Sequence, residues 1–195
     1  LPSLPSTEDE LKAIQKIFTQ GSSKIFMQEF ATEDNLKAVD LTKFNVLLFA
    51  THGIISGEWD LLDEPALVLT PPINKNSNLN DGLLTASEIR KLSLDADLVV
   101  LSACNTAAGD NQSDEGLSGL ASAFIFAGAK SIMASHWSVE SNTTKQLITT
   151  FFENLKTSSK MTRSEAMRLS MKKLFSDHRY KHPIFWAPFI LVGQS

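Results

Sequence analysis

The sequence predicts an α/β protein, a three-layer sandwich with a mainly parallel central sheet and helices on both faces. Two observations carry this expectation. Short apolar runs alternate along the chain with segments of helical periodicity, the order a parallel sheet requires because its strands are joined by crossover helices. One of these runs, ADLVVLSA at 96–103, is apolar without alternation, which fits a strand covered on both faces. The 195 residues, 43% of them apolar, suffice for a substantial core. No repeat, low-complexity tract or long Gly/Ser linker divides them, so residues 1–195 read as a single domain.

The elements follow in order. Thr7 and Glu10 have the spacing of a capping box ahead of Leu11, Ile14, Ile17 and Phe18, which recur at helical spacing. Lys24 to Met27 is expected as an edge strand and 32–38 as a short helix. Apolar runs at 46–50 (VLLFA) and 66–69 (ALVL) predict strands, and Thr85 with Glu88 caps a helix reaching about Leu92. After the strand at 96–103 comes a long polar loop, 105–116. An apolar helix over about 117–127 then stops at Gly128, and SIMAS at 131–135 predicts a strand. Leu147, Ile148, Phe151, Phe152 and Leu155 mark one face of a helix around 142–156. Thr162 with Glu165 caps another reaching about Phe175, and PFILVG closes the chain as a strand.

Charge and composition exclude several function classes. The net charge of −4 resolves into 10 basic and 20 acidic residues over 1–154, against 8 basic and 2 acidic over 155–195. The basic charges of that tail alternate with Met167, Leu169, Met171, Leu174 and Phe175. They read as the solvated face of an amphipathic helix rather than a nucleic-acid surface. A lone cysteine excludes a disulfide framework and a cysteine-rich zinc site. The apolar runs are too short to span a bilayer. The amino terminus, LPSLPSTEDE, has no basic n-region before an apolar stretch, so a piece of a longer cytoplasmic protein is expected. No Gly-rich phosphate loop is present. His178 and His182 have helical spacing, but Pro183 follows at once and the intervening residues include no acid, so no metal and no cofactor are expected. A structural calcium ion among the loop acids is a minor alternative.

In a parallel α/β sheet the chemistry sits in the loops just past the carboxyl ends of the strands. Two such places stand out. In LLFATHG, Thr51, His52 and Gly53 follow one apolar strand; in VVLSACNTA, Cys104 follows another. If the two strands are parallel neighbours, a thiol and an imidazole emerge on one sheet edge, the minimum for covalent acyl transfer. Gly53, without a Cβ, lets its N–H approach an oxyanion closely, and the Cys104 N–H is the natural second donor. Residue pattern alone names no third member: Asn105, Asp110, Asp114 or a backbone carbonyl can each orient His52.

The strings LLFATHG, DGLLTASEI, ADLVVLSACNTAAG, EGLSGLASAFIFAGAKSI, SHWSVE and HPIFWAPFILVG, in this order, resemble the CHAT-domain family. This is a module related to caspases and separases and often fused to tetratricopeptide repeats. The likeness runs from about residue 5 to residue 193. It implies a caspase-like fold and cysteine endopeptidase activity, with His52 and Cys104 at the positions of the Cys–His dyad and Gly53 in the oxyanion role. Two positions depart from the family pattern. Relatives commonly have Leu where His136 stands and Asp where Ser141 stands, although Trp137 and Val139 match. Glu140 is a neighbouring acid able to replace the missing one.

Acidic residues crowd the loops at this edge: Glu58, Asp60, Asp63 and Glu64 after His52, and Asp110, Asp114 and Glu115 after Cys104. Such a rim would attract a basic peptide. The expectation is cleavage after Arg or Lys, with Asp110, Glu140 and Ser141 as substrate-binding candidates and amino-terminal regions controlling the site. Two alternatives stay open: a binding or scaffold module whose dyad is silent, and acyl transfer on small esters. The expected partners are a protein or peptide substrate and a regulatory repeat region, with no nucleic acid and no membrane.

Overall fold

The computed structural model describes residues 4–18, 23–57, 59, 62–72, 80–102, 113–137 and 139–194, apart from the side chains of Pro5 and residues 113–118. Along the chain the elements are α1 (Pro5–Ile17), α2 (Glu33–Lys37), β1 (Val46–Phe49), β2 (Gly53–Ile54), β3 (Ala66–Val68), β4 (Leu83–Thr85) and α3 (Ala86–Ile89). They continue with β5 (Leu98–Leu101), α4 (Ser113–Phe126), β6 (Ser131–Ser135), α5 (Ser141–Thr157), α6 (Arg163–Ser176) and β7 (Phe189–Gly193).

The central sheet has the order β1-β5-β6-β7. β1, β5 and β6 run parallel, with Phe49 registered on Leu101 and Leu101 on Ala134; β7 joins β6 antiparallel. Because β5 lies between two strands and under both helical layers, all four of its residues are buried, which is why its sequence shows no polar alternation. Its side chains serve two cores. Val99 and Leu101 join Leu47, Phe49, Ile132, Leu120 and Phe124 on the α3/α4 face. Leu98 and Val100 join Met133, Ile14, Leu147, Phe151 and Ala166 on the face covered by α1, α5 and α6. The result is the expected three-layer α/β sandwich with a mainly parallel sheet.

Local sequence chemistry explains most boundaries. At α3 both halves of the Thr85–Glu88 capping box form: Thr85 Oγ1 accepts the Glu88 N–H at 3.3 Å and Glu88 Oε2 accepts the Thr85 N–H at 3.1 Å. Thr162 caps α6 by accepting the Glu165 N–H at 3.2 Å. The basic residues Arg168, Lys172 and Lys173 of α6 are exposed while Ala166, Met167, Ser170 and Leu174 are buried, as the solvated-face reading requires.

Two expectations change. No capping box forms at Thr7 and Glu10: α1 already begins at Pro5, whose fixed φ and missing N–H suit a first turn. Thr7 Oγ1 instead donates to the Leu4 carbonyl at 2.7 Å, and Glu10 is buried mid-helix. Residues 24–27 are not a strand; they form no pairing among the described residues. The run at 66–69 forms the expected strand, β3, which lies in a separate antiparallel sheet, β2-β3-β4.

Candidate active site

β1 ends at Phe49, and Ala50, Thr51 and His52 carry the chain off the carboxyl edge of the sheet into β2. His52 is gripped through its backbone by β3. The Val68 N–H donates to the His52 carbonyl at 2.8 Å, and Thr51 Oγ1 donates to the Val68 carbonyl. Gly53 pairs with Leu67 in the next register position. Since hydrogen-bonded and non-bonded pairs alternate in an antiparallel ladder, the bond at His52–Val68 puts Gly53 at a non-bonded position. Its N–H is directed away from β3. Gly53 is buried and His52 half-buried.

The small sheet that grips His52 is itself anchored by a buried carboxylate. Glu33, at the start of α2, is 1% exposed; its Oε2 accepts the Gly82 N–H at 2.8 Å, and the Lys37 ammonium lies 2.9 Å from its Oε1. Burial pushes the Glu33 pKa up, against the pull of Lys37 and the Gly82 N–H. Lys37 also pairs with Glu88 of α3 at 2.9 Å, and the Leu69 N–H donates to the Gly82 carbonyl at 2.7 Å. α2, β4, β3 and the His52 backbone thus form one linked chain of contacts.

On the neighbouring strand, Ser102 directly follows β5 and its N–H donates to the Phe49 carbonyl at 2.9 Å. Residues 103–112, and with them the predicted Cys104 and Asp110, lie outside the described residues. The register still bears on them. Phe49 and Leu101 are direct partners in parallel strands; His52 comes three residues after the first and Cys104 three residues after the second.

A buried acid that sequence reasoning missed stands beneath this edge. Glu10 of α1 is 4% exposed, hydrogen-bonded to the Ser102 hydroxyl and within the field of Lys145 on α5, while its Oε1 has no hydrogen-bond partner. Burial pushes its pKa up to about 7, against the Ser102 bond and the Lys145 charge, which pull it down. The signal was available: Glu10 shares the i, i+4, i+7 stripe of Ile14 and Ile17, so a helix burying that stripe must bury the acid.

The sequence model of the CHAT domain matches residues 1–194. The chain belongs to the CHAT-domain family. It is accordingly a caspase-like protease-fold module. Over 225 aligned residues it is 28% identical to tetratricopeptide repeat protein 28 of mouse (Mus musculus), and likewise 28% identical to tetratricopeptide repeat protein 28 of human (Homo sapiens). Each alignment covers 98% of this chain, but only 9% of the mouse protein and 8% of the human one. The CHAT chain therefore spans less than a tenth of the length of these relatives.

The other predicted positions of this CHAT domain fall where β6 gives way to α5. His136 is half-buried, and its N–H donates to the Pro188 carbonyl at 2.9 Å; Trp137 Nε1 donates to the Ile184 carbonyl at 3.0 Å. Glu140 is the N-cap of α5. Its carboxylate accepts the N–H groups of Asn142 (3.1 Å) and Thr143 (3.0 Å) and the Thr143 hydroxyl (2.7 Å). Partial burial raises its pKa, but these bonds outweigh burial and the net shift is downward. Ser141 is the first residue of α5 and half-buried. Of the acids after His52, Glu64 accepts the Ser87 N–H at 2.8 Å at the start of α3, and Asp63 is exposed. Glu58, Asp60 and the side chains of Asp114 and Glu115 lie outside the description. His182 caps a 3-10 turn through Nδ1, which accepts the Ile184 N–H at 3.2 Å. No helix among the described residues is long and apolar enough to cross a membrane.

Proposed function

We propose that this CHAT domain is a cysteine endopeptidase in which Cys104 is the nucleophile and His52 the general base and acid. The observation that supports the reading is the register of β1 on β5: Phe49 faces Leu101, and the two candidate side chains follow these partners at the same offset, off the same sheet edge. In the reaction His52 takes the thiol proton, and the Cys104 thiolate attacks the scissile carbonyl. The N–H groups of Gly53 and Cys104 stabilise the oxyanion. The tetrahedral intermediate collapses to a thioester as the imidazolium returns its proton to the departing amine. Water, deprotonated by His52, then hydrolyses the thioester and restores the thiol.

The acidic loops favour a basic residue before the cleaved bond, with Asp110 or Glu140 as counter-charge. Glu140 suits that part because its exposed carboxylate is held ionised by the bonds of its cap. We place the domain within a longer cytoplasmic polypeptide whose tetratricopeptide repeats control the site, as the names of its relatives suggest.

Two measurements test the reading. A peptide-library profile should show Arg or Lys before the cut; an acidic or apolar preference there overturns the specificity. Cys104→Ala should abolish cleavage, and His52→Ala should slow iodoacetamide labelling of Cys104 at pH 7 by roughly a hundredfold while leaving the fold intact. Cleavage that survives Cys104→Ala removes the peptidase assignment. Labelling indifferent to His52, with no peptide cut by the full-length protein, points to a scaffold.

A further inference from the structure

Among the described residues two carboxyl groups are buried, and their surroundings differ. Glu33 is matched at both oxygens: Lys37 lies 2.9 Å from one, and the Gly82 N–H donates to the other at 2.8 Å. Glu10, 4% exposed in the middle of α1, is not. It shares a hydrogen bond with the Ser102 hydroxyl, but its Oε1 has no hydrogen-bond partner. Burying a half-paired carboxyl group is costly, and a Leu or Met of similar size would fill the place without that cost. The helix does not require an acid there, because α1 starts at Pro5 without its help.

What Glu10 touches is the end of the strand that leads to the candidate nucleophile. β5 sends Leu98 and Val100 into the core beneath α1, α5 and α6, and by the two-residue alternation Ser102 points the same way. Ser102 is 5% exposed, and its N–H donates to the Phe49 carbonyl at 2.9 Å, so it extends the ladder between β5 and β1. Its backbone is thus tied to the strand that leads to His52, and its side chain to Glu10. Cys104 follows two residues later. A polar tie from a helix to the residue where a strand ends helps to fix how the chain leaves the sheet.

We propose that Glu10 is a positioning residue for Cys104: its neutral carboxyl holds Ser102, and through Ser102 the exit of the chain from β5, in the geometry that presents the thiol to His52. The inference rests on the assignment of Cys104 and His52 as a dyad. Burial pushes the Glu10 pKa up to about 7, against the Ser102 bond and the Lys145 charge. Among the described residues, Ser102 at the end of β5 and Lys145 on α5 are the groups that act on this carboxyl. At pH 5.5 it is neutral, and its bare oxygen is tolerated. At pH 8.5 it is a carboxylate with one oxygen unpaired in the core. α1 must then yield to admit water or Lys145, and the hold on Ser102 slackens.

The rate at which iodoacetamide alkylates Cys104 tests this, followed in the full-length protein by the mass of the peptide containing Cys104. Rates are read at pH 5.5 and pH 8.5 as ratios to the parent, which cancels the thiol's own titration. Glu10→Gln stays neutral and still accepts the Ser102 hydroxyl. It should label at the parent's rate at pH 5.5 and roughly tenfold faster than the parent at pH 8.5. Ser102→Ala cuts the tie and should do the reverse: about tenfold slower than the parent at pH 5.5 and equal to it at pH 8.5. Adding Glu10→Gln to Ser102→Ala should change nothing at either pH. A Glu10→Gln rate equal to the parent's at both pH values, with labelling still dependent on His52, overturns the positioning role and leaves the dyad standing. A pH-dependent gain that persists in the Ser102→Ala background also overturns it, since Glu10 would then act by its charge and not by the tie. Labelling indifferent to His52 removes the dyad and this inference with it. If Glu10→Gln does not fold, Ser102→Ala against the parent still decides.

Discussion

Glu10 connects a single side chain to the behaviour of the sheet edge. Its carboxyl lies under Ser102, two residues before Cys104 in sequence, and one of its oxygens is unpartnered. With its pKa raised from 4.5 to about 7, the folded protein holds the Glu10 proton to higher pH than the unfolded chain does. The associated stability is therefore complete below about pH 4.5 and is lost as pH rises through about 7, amounting to about 3 kcal/mol across that window. Glu10→Gln keeps the shape and removes the titration. In urea unfolding it should match the parent near pH 4 and exceed it by up to about 3 kcal/mol at pH 8. Equal differences at both pH values would show that Glu10 does not titrate in this range.

At the level of elements, glycine provides a sharper contrast than any helix propensity. Gly128 ends the turn after α4 at φ 114°, and a Cβ there would stand 2.2 Å from the Leu94 carbonyl oxygen. Gly57 also has positive φ, at 78°, but nothing lies within 4 Å of its would-be Cβ. Gly57→Ala should cost about 1 kcal/mol, the left-handed backbone alone, whereas Gly128→Ala should cost at least about 2 kcal/mol more because a backbone carbonyl must shift. Thermal unfolding of the two variants reads the difference directly. Gly128 as a helix stop was legible in the sequence, as were the capping residues Thr85 and Thr162. The Thr7–Glu10 pair carried the same signature and meant something else, because Pro5 had already begun the helix and the apolar stripe drew Glu10 inward.

Across the whole molecule, both cores hang on one strand. Phe124 belongs to the α3/α4 face and Phe151 to the α1/α5/α6 face, and each is fully buried. Because β5 sends alternate side chains into both, Phe124→Ala and Phe151→Ala should each cost roughly 3–5 kcal/mol and leave a single cooperative denaturant transition. Two separated transitions would mean that the layers fold independently.

Periodicity and capping chemistry are local, so the sequence by itself determined the layer order, most helix starts, and the two strand ends that carry His52 and Cys104. Three matters belonged to tertiary structure alone. The pairing of β1 with β5 in the register Phe49–Leu101 depends on partners 52 residues apart. The separation of β2-β3-β4 into its own sheet rests on the pairing of Gly53 with Leu67 and of Leu67 with Leu84, segments distant in the chain. The burial of Glu10 beside Ser102 shows only once α1 packs on the sheet. Pairing and burial are set by residues far apart in the chain, and no window of neighbouring side chains contains them.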